Sequence, residues 1–171
     1  ADDTEAINQY QVAYNLSADS WSGFFGQNNN WYSGSNNTTY YLQDNWVAAT
    51  YTNSYTTLLS SWKKIKQESE KNETPEIFAL AQILKISAWH KTLESFGPIP
   101  YTHAGEPALV IPFDSEQVAF NAMFADLTAA IEALTVRAEQ GATIVADYDA
   151  VYAGDTRKWV KYANSLMLRL A

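Results

Sequence analysis

The amino-acid sequence predicts an all-α fold, in which helix pairs joined by loops of modest length stack on one another. Apolar side chains recur at steps of three and four residues in five segments, which is the spacing of one face of a helix. No segment alternates polar and apolar residues for long enough to indicate a sheet. No linker, low-complexity tract or obvious repeat interrupts the 171 residues, so we expect one domain spanning residues 1–171.

The first two helical patterns lie on either side of a loop that is rich in aromatic residues. The first runs from about Thr4 to Ser17, and the second from about Asp44 to Ser69. An apolar stripe of this kind predicts a helix that buries one side. The stripes consist of Ile7, Tyr10 and Tyr14 in the first segment, and of Val47, Tyr51, Tyr55, Leu58, Leu59, Trp62 and Ile65 in the second.

The third helix has clear signals at both ends. Thr74 is a candidate N-cap, and Pro75 suits the first helical position, where its missing N–H costs nothing. The helix must stop before Gly97 and Pro98. Its apolar residues cover a wide surface, so we expect packing on two sides; they are Ile77, Leu80, Ala81, Ile83, Leu84, Ile86, Ala88 and Leu93.

The fourth helix begins after Asp114 and Ser115, either of which can cap it, and Gly141 provides its stop. The fifth begins at Gly154 and Asp155 and continues in mid-pattern to the last residue, so we expect a truncated chain or a short relative of a longer protein. The predicted buried faces are Val118, Phe124, Leu127, Ile131 and Leu134 in the fourth helix, and Trp159, Ala163, Leu166 and Leu170 in the fifth, flanked by Val160 and Met167.

Composition excludes several classes of protein. The formal charge of −8 repels nucleic acid and anionic lipid, so neither is an expected partner. Without cysteine there is no disulfide, thiol nucleophile or thiolate metal site. No apolar run approaches the roughly 20 residues that span a bilayer. A charged fraction of only 18%, with many Tyr, Trp, Asn, Ser and Thr residues, suits neutral hydrogen-bonding ligands such as carbohydrates.

No catalytic, metal or cofactor site is predicted. His90 and His103 lie in different elements, without the spacing of a zinc motif. Asp147 and Asp149 offer hard oxygen ligands, but one D-x-D falls far short of a calcium loop. Carboxylates are numerous, so a glycosidase pair stays open by count alone, yet nothing in the pattern places two of them across a cleft. No phosphate-binding or dinucleotide-binding glycine motif is present.

The loop SWSGFFGQNNNWYSGSNNTTYY, residues 20–41, is the candidate ligand site. Trp and Tyr offer rigid faces with polar tips, and Asn offers donor and acceptor on one head, which together match a sugar. The alternative is that the rings pack onto the helical core, which we expect of Phe24 and Phe25 because Phe has no polar handle. The predicted ligand-binding residues are Trp31, Tyr32, Asn29, Asn30, Asn36, Tyr40 and Tyr41.

The segment DYDAVYAGDTRKWVKYANSLMLRLA, residues 147–171, resembles a signature of the SusD/RagB family of bacterial outer-membrane nutrient-binding lipoproteins. ESFGPIPYT and IPFDSEQVAFNAMFADLTAAIEAL resemble the preceding elements, and Trp46 fits the tryptophan that opens an early helix. The matching signature residues are Asp149, Tyr152, Gly154, Asp155, Lys158, Trp159, Asn164, Ser165, Leu166, Arg169 and Ala171. Most of these have structural roles in our interpretation: Asp155 caps a helix, Trp159 packs, and Asn164 and Arg169 bond neighbouring backbone.

The resemblance implies an N-terminal portion of such a protein, with tetratricopeptide-like helix pairs carrying ligand-bearing loops. It implies a non-enzymatic function: capture of oligosaccharide at the outer-membrane surface and delivery to a TonB-dependent, SusC-like transporter. Membrane contact would then come only through a lipid anchor that this chain lacks. Two alternatives stay open, a helical scaffold that binds peptides or docks on the transporter, and an enzyme acting on polysaccharide.

Overall fold

Helices form the regular structure of the computed structural model, which describes residues 10–171 except for the side chains of residues 17 and 18. The described residues contain no strand, only isolated bridges between Ile99 and Asp114 and between Thr143 and Asp155. The predicted all-α class is therefore confirmed. The chain divides into two compact units, one ending at Asn53 and one beginning at Ser54, and the single domain over residues 1–171 stays a prediction.

The first unit contains a π-helix over Gln11–Asp19 and helix α1 over Asp44–Asn53. Two short 3-10 helices, Trp31–Gly34 and Asn37–Thr39, shape the loop between them. The π-helix packs against α1, and the buried hydroxyl of Thr50 donates a hydrogen bond to the carbonyl of Ala13 (2.8 Å). The predicted start of the first helix, at Thr4, lies outside the described residues.

The second unit begins with a π-helical segment, Ser54–Leu58, followed by α2 over Leu59–Asn72. Its other helices are α3 over Pro75–Phe96, α4 over Glu116–Glu139 and α5 over Thr156–Leu170. Consecutive helices pack against each other, and α5 also touches α3. The predicted packing of the third helix on two sides is confirmed, because α3 lies against both α2 and α4.

Helix ends follow the sequence signals with one exception. Pro75 occupies the first turn of α3, Gly97 ends it with a φ of 74°, and Ser115 caps α4 by accepting the N–H of Val118 (3.3 Å). Thr74 occupies the predicted N-cap position of α3, but its side chain makes no capping hydrogen bond. The Thr74 hydroxyl instead donates to Ser69 Oγ (3.2 Å), which ties α2 to the start of α3.

The core of the second unit is a seam between α3, α4 and α5. Each of its main side chains is at most 3% exposed. They are Ile83, Ile86, Trp89 and Leu93 on α3, Met123, Leu127 and Leu134 on α4, and Trp159 and Ala163 on α5. Leu84 and Val118 were predicted to be buried, which is wrong: both are exposed. A helix with apolar residues on most of its faces does not reveal from its sequence which ones meet a neighbour.

Helix α4 is, by length and composition, long and apolar enough to cross a membrane. The prediction that no segment reaches this threshold is therefore wrong. The core helix of a soluble protein passes the same test, and Ala119, Met123, Leu127 and Leu134 of α4 are buried against its neighbours. The apolar window is 28% buried, and one such helix is weak evidence for a membrane span.

The turn before α5 is built around the carboxylate of Asp149. Its Oδ1 accepts the N–H groups of Val151 (2.9 Å) and Tyr152 (3.1 Å). Its Oδ2 accepts the N–H of Gly154 (2.8 Å) and the indole N–H of Trp159 (2.6 Å). One side chain thus fixes both the turn and the buried tryptophan in the first turn of α5.

Glycine is required at position 154 of this turn. Gly154 has a φ of 78°, and a Cβ there would collide with the carbonyl oxygen of Ile144. Asp155 then caps α5 by accepting the N–H groups of Arg157 (3.0 Å) and Lys158 (3.2 Å), which confirms its predicted role. The signature residues therefore build a tight helix entry.

Two further signature residues were predicted to bond neighbouring backbone. Asn164 does so, donating its amide N–H to the carbonyl of Val160 (2.8 Å). The prediction for Arg169 is wrong, because its guanidinium forms an ion pair with Glu94 on α3 (2.9 Å). The arginine is long enough to reach across to the neighbouring helix.

Replacing Leu134 by Ala should lower the free energy of unfolding by about 3 kcal/mol, because it removes a fully buried side chain from the seam. Urea denaturation followed by circular dichroism measures the change. Val136→Ala on the same helix is the matched control, since Val136 is exposed and should change stability by less than about 0.5 kcal/mol. Equal effects of the two variants would contradict the described core.

Asp149 should make the second unit sensitive to acid. Burial raises the pKa of Asp149, but the four donated hydrogen bonds, that of Trp159 first, outweigh it and hold the pKa at about 2. An unfolded Asp has a pKa of about 3.9. The stability from this depression is therefore present above about pH 4 and is lost as the pH falls through 2.

Asp149→Asn should remove this acid dependence and destabilise the protein at pH 7 by about 1–3 kcal/mol, because an amide cannot accept at both positions. Denaturation curves between pH 2 and pH 7 provide the measurement. Asp147→Asn is the control, because Asp147 is exposed and makes no hydrogen bond in the described structure. Identical pH profiles for Asp149→Asn and the unmodified protein would overturn the assignment.

Candidate functional site

A cluster of three aromatic rings lies in the first unit. Trp31 and Trp46 stack with centroids 5.3 Å apart and planes 25° from parallel. Tyr32 meets both rings edge-on, with centroids 5.5 Å from each. Trp31 and Trp46 are half-buried, while Tyr32 is 65% exposed. The cluster therefore combines a fixed stack with an accessible phenol.

The backbone that presents Tyr32 is in an unusual conformation. Tyr32 and Ser33 both have a φ of 53°, and Gly34 follows with a φ of 81°. Left-handed backbone costs a non-glycine residue roughly 1–2 kcal/mol. Three such residues in sequence turn the chain sharply, and the turn places the Tyr32 ring against the two tryptophans.

The side chain of Asn36 holds this loop together. Its Nδ2 donates to Gln27 Oε1 (3.1 Å) and to the carbonyl of Trp31 (2.9 Å). Its Oδ1 accepts the N–H (3.0 Å) and the hydroxyl (2.5 Å) of Thr38. Asn36 is fully buried, so its amide is satisfied within the protein. Asn36, which was predicted to bind ligand, therefore stabilises the loop through its side chain.

The other predicted site residues lie on the surface. Asn29 and Asn30 are exposed and directly precede Trp31. Tyr40 and Tyr41 are also exposed, and the hydroxyl of Tyr40 donates to the carbonyl of Trp21 (3.1 Å). Among the described residues, no ring contact joins either tyrosine to the cluster. The structure thus brings together Trp31 and Tyr32, with the two asparagines beside them in sequence.

The expectation that Phe24 and Phe25 join the core is wrong. Phe24 is 86% exposed and Phe25 is 53% exposed. They sit in a turn closed by the N–H of Phe25 and the carbonyl of Asp19 (3.2 Å). This turn leaves both rings in solvent, where they enlarge the aromatic surface of the loop.

Sequence reasoning missed Trp46 as a member of the cluster. It was interpreted as the residue that opens a helix, and it does lie in the first turn of α1. Its ring nevertheless stacks on Trp31, fifteen positions earlier. The available signal in the sequence was a tryptophan just after an aromatic loop.

Three of the four residues considered for catalysis or metal binding have structural partners; the exposed Asp147 does not. His90 is buried and its Nδ1 bonds the carbonyl of Ile86 (2.9 Å), while His103 pairs with Glu106 (3.0 Å). The carboxylate of Asp149 accepts hydrogen bonds from the turn before α5 and from Trp159. Among residues 10–171, no three His, Asp or Glu side chains lie close enough together to hold a metal.

Asn36→Ala should disorder the loop, because it leaves the bonded groups of Gln27, Trp31 and Thr38 without partners. We expect loss of the exciton signal of the Trp31–Trp46 stack in far-ultraviolet circular dichroism. Asn29→Ala is the control, since Asn29 is exposed and makes no hydrogen bond in the described structure. A retained exciton signal in Asn36→Ala would show that the stack forms without the amide.

The fold of this chain is similar to that of several solved structures. A chitin-binding SusD homologue from Flavobacterium johnsoniae matches with a TM-score of 0.85 and 35% identity over 95% of this chain. SusD homologues from Bacteroides uniformis and Bacteroides ovatus match with TM-scores of 0.80 and 0.81 and identities of 31% and 28%, over 96% and 95% of this chain. The chain spans about a third of each relative, 34%, 34% and 32%. No curated protein matches the sequence.

The family-level comparison covers the whole chain. The model of the SusD-like family, described as Susd and RagB outer membrane lipoprotein, matches residues 1–171. The resemblance of residues 147–171 and the helical fold agree with that match. The chain belongs to the SusD-like (SusD/RagB) family.

Proposed function

We propose that this chain binds oligosaccharide at the surface of the outer membrane without acting on it chemically. The observation that carries the proposal is the cluster of Trp31, Tyr32 and Trp46, with its fixed stack and exposed phenol. Aromatic faces bind the C–H face of a sugar, and the adjacent amides of Asn29 and Asn30 can pair with its hydroxyl or acetamido groups. The relative described as chitin-binding makes chitin oligosaccharides the first ligands to test.

In this proposal the predicted site residues divide into three groups. Trp31, Tyr32, Asn29 and Asn30 touch the ligand, and Asn36 shapes the loop from beneath because its amide is already bonded. Backbone strain that is maintained at a surface loop supports a functional role, since it costs stability without packing a core. The exposed rings of Tyr40 and Tyr41 extend the surface for longer chains.

We further propose that the bound glycan passes to a TonB-dependent, SusC-like transporter, and that a lipid anchor holds the protein at the membrane. The description of the family as outer-membrane lipoproteins supports this location. No catalytic step is part of the proposal; the Asp149 carboxylate and the His103 ring already have structural partners. The proposed activity concerns the third of a typical relative that this chain spans.

Trp31→Ala should weaken binding of chitin oligosaccharides by roughly 2 kcal/mol or more, or about 30-fold, because a buried aromatic anchor carries much of the energy at such sites. Isothermal titration calorimetry measures the affinity, and circular dichroism checks that helicity is kept. Tyr148→Ala is the matched control, because Tyr148 is 91% exposed and belongs to the second unit.

Unchanged affinity in Trp31→Ala would remove Trp31 from the site. A panel of neutral glycans that neither releases heat nor changes tryptophan fluorescence would overturn glycan binding by this chain. Capture of a membrane partner under those conditions would favour the alternative of a helical interaction scaffold. Release of new reducing ends from a polysaccharide would contradict the non-enzymatic assignment.

A further inference from the structure

A cavity of about 560 Å³ lies entirely within the second unit. Trp62 of α2 and Phe78 of α3 form an aromatic wall, with ring centroids 5.6 Å apart. Five alanines of α4 form another, smooth wall: Ala122, Ala125, Ala129, Ala130 and Ala133. A volume of this size is within the range of small-molecule sites, roughly 300–1,000 Å³.

Lys85 of α3 brings a cation into this cavity. The residue is only 3% exposed, and its Nζ lies 4.1 Å from the ring centroid of Trp62, 4.4 Å from that of Tyr101 and 5.4 Å from that of Trp89. The three rings stabilise the charge through their negative faces. They are not hydrogen-bond acceptors of ordinary strength, however, and an ammonium has three N–H groups to donate.

Among the described residues, no oxygen accepts a hydrogen bond from the Lys85 ammonium, and no carboxylate forms an ion pair with it. A buried charge is normally both paired and hydrogen-bonded, because desolvation is costly. Lys85 therefore presents unsatisfied donors to an open cavity. This is the arrangement of a binding site for an acceptor.

The neighbouring polar groups are fixed and leave one atom each for a ligand. Gln82 accepts the indole N–H of Trp62 at its Oε1 (2.6 Å), so its Nε2 stays available as a donor. Asp126 of α4 accepts the Tyr101 hydroxyl at its Oδ2 (2.6 Å), so its Oδ1 stays available as an acceptor. Gln82 and Lys85 are three residues apart on α3, which places them on the same side of the helix.

The loop that supplies Tyr101 is held independently of any ligand. Asp114 accepts the N–H groups of Tyr101 (2.8 Å) and Thr102 (2.7 Å) at its Oδ2, and its Oδ1 accepts the hydroxyl of Thr102 (2.8 Å). The phenol of Tyr101 is thereby anchored at its backbone and through Asp126 at its tip. The polar positions around the cavity are preorganised.

The charges at the cavity favour an anion. Lys85 and Lys66 are the cations and Asp126 is the anion, so the cavity is net positive when Lys85 is protonated. Burial lowers the pKa of Lys85 to about 8; Asp126 opposes this shift and Lys66 adds to it. Lys85 is therefore mostly charged at neutral pH and loses its charge as the pH rises through 8.

We propose that this cavity binds a small hydroxylated carboxylic acid, of the sugar-acid class. The carboxylate accepts hydrogen bonds from the ammonium of Lys85 and the amide of Gln82, and a ligand hydroxyl donates to Asp126 Oδ1. The C–H face of the ligand lies against Trp62 and the alanine wall. This site is distinct from the aromatic loop of the first unit, and it does not depend on the function proposed for that loop.

Titration with D-glucuronate and with D-glucose tests the proposal, because the two sugars differ in the carboxylate. We expect glucuronate, and not glucose, to shift the side-chain nitrogen resonance of Lys85 in protein labelled with ¹⁵N-lysine. The pKa of Lys85, followed by the same resonance, should rise from about 8 when glucuronate is bound, because a nearby anion favours the charged amine. Glucuronate affinity should fall as the pH is raised through 8.

Lys85→Met keeps the length of the side chain without the charge and should weaken glucuronate binding by about tenfold or more. Lys161→Met is the matched control, because Lys161 is exposed on α5. Trp31→Ala should bind glucuronate in this cavity as the unmodified protein does, which separates this result from that of the loop site. Circular dichroism confirms that each variant is folded.

Three results would overturn the proposal. The first is a Lys85 resonance in the unmodified protein that glucuronate does not move. The second is equal binding of glucose and glucuronate, because the carboxylate would then play no part. The third is an equal loss of affinity in Lys85→Met and Lys161→Met, because the attraction would then be general to positive charge.

Discussion

Burial of the seam between α3 and α4 is the constraint on which the second unit depends. Ile83, Ile86 and Trp89 have no exposed surface, and neither do Met123 and Leu127 opposite them. Beside this seam, the alanines of α4 that line the cavity have small side chains, which leave room for the cavity instead of filling it.

Three loops share one feature: a single short polar side chain fixes the surrounding backbone by hydrogen bonds. Asn36 does this in the aromatic loop, Asp114 in the loop before α4, and Asp149 in the turn before α5. Each makes at least three hydrogen bonds to groups near it in sequence or across the loop base. A side-chain oxygen close to the backbone loses little entropy when it is fixed, so short polar residues do this well.

Much of the fold could be predicted because its signals are local. Pro75, Gly97 and Ser115 mark helix ends through their own backbone chemistry, and the structure places the ends there. Whether an individual residue is buried depends less on its local sequence. Leu84 and Val118 belong to apolar stripes yet face solvent, because burial depends on which neighbours the tertiary fold supplies.

The candidate sites were harder to predict for the same reason. Nothing in an asparagine-rich run distinguishes Asn36, which is buried and bonded, from the exposed Asn29. The Trp31–Trp46 stack and the Lys85 cavity join residues that are distant in sequence. A lysine between Leu84 and Ile86, inside an apolar stripe, was the local sign that a charge lies near the core.

Most hydrogen bonds that shape the aromatic loop lie within the loop, whereas its rings depend on a neighbouring helix. The bonds of Asn36 to Gln27, Trp31 and Thr38, and that of Gln43 to Ser35 (2.7 Å), all lie within residues 27–43. The tips of such a loop can change while its frame is kept. The ring stack, in contrast, depends on Trp46 of α1, so a substitution at position 31 or 46 changes the aromatic surface while the hydrogen-bonded frame of the loop is kept.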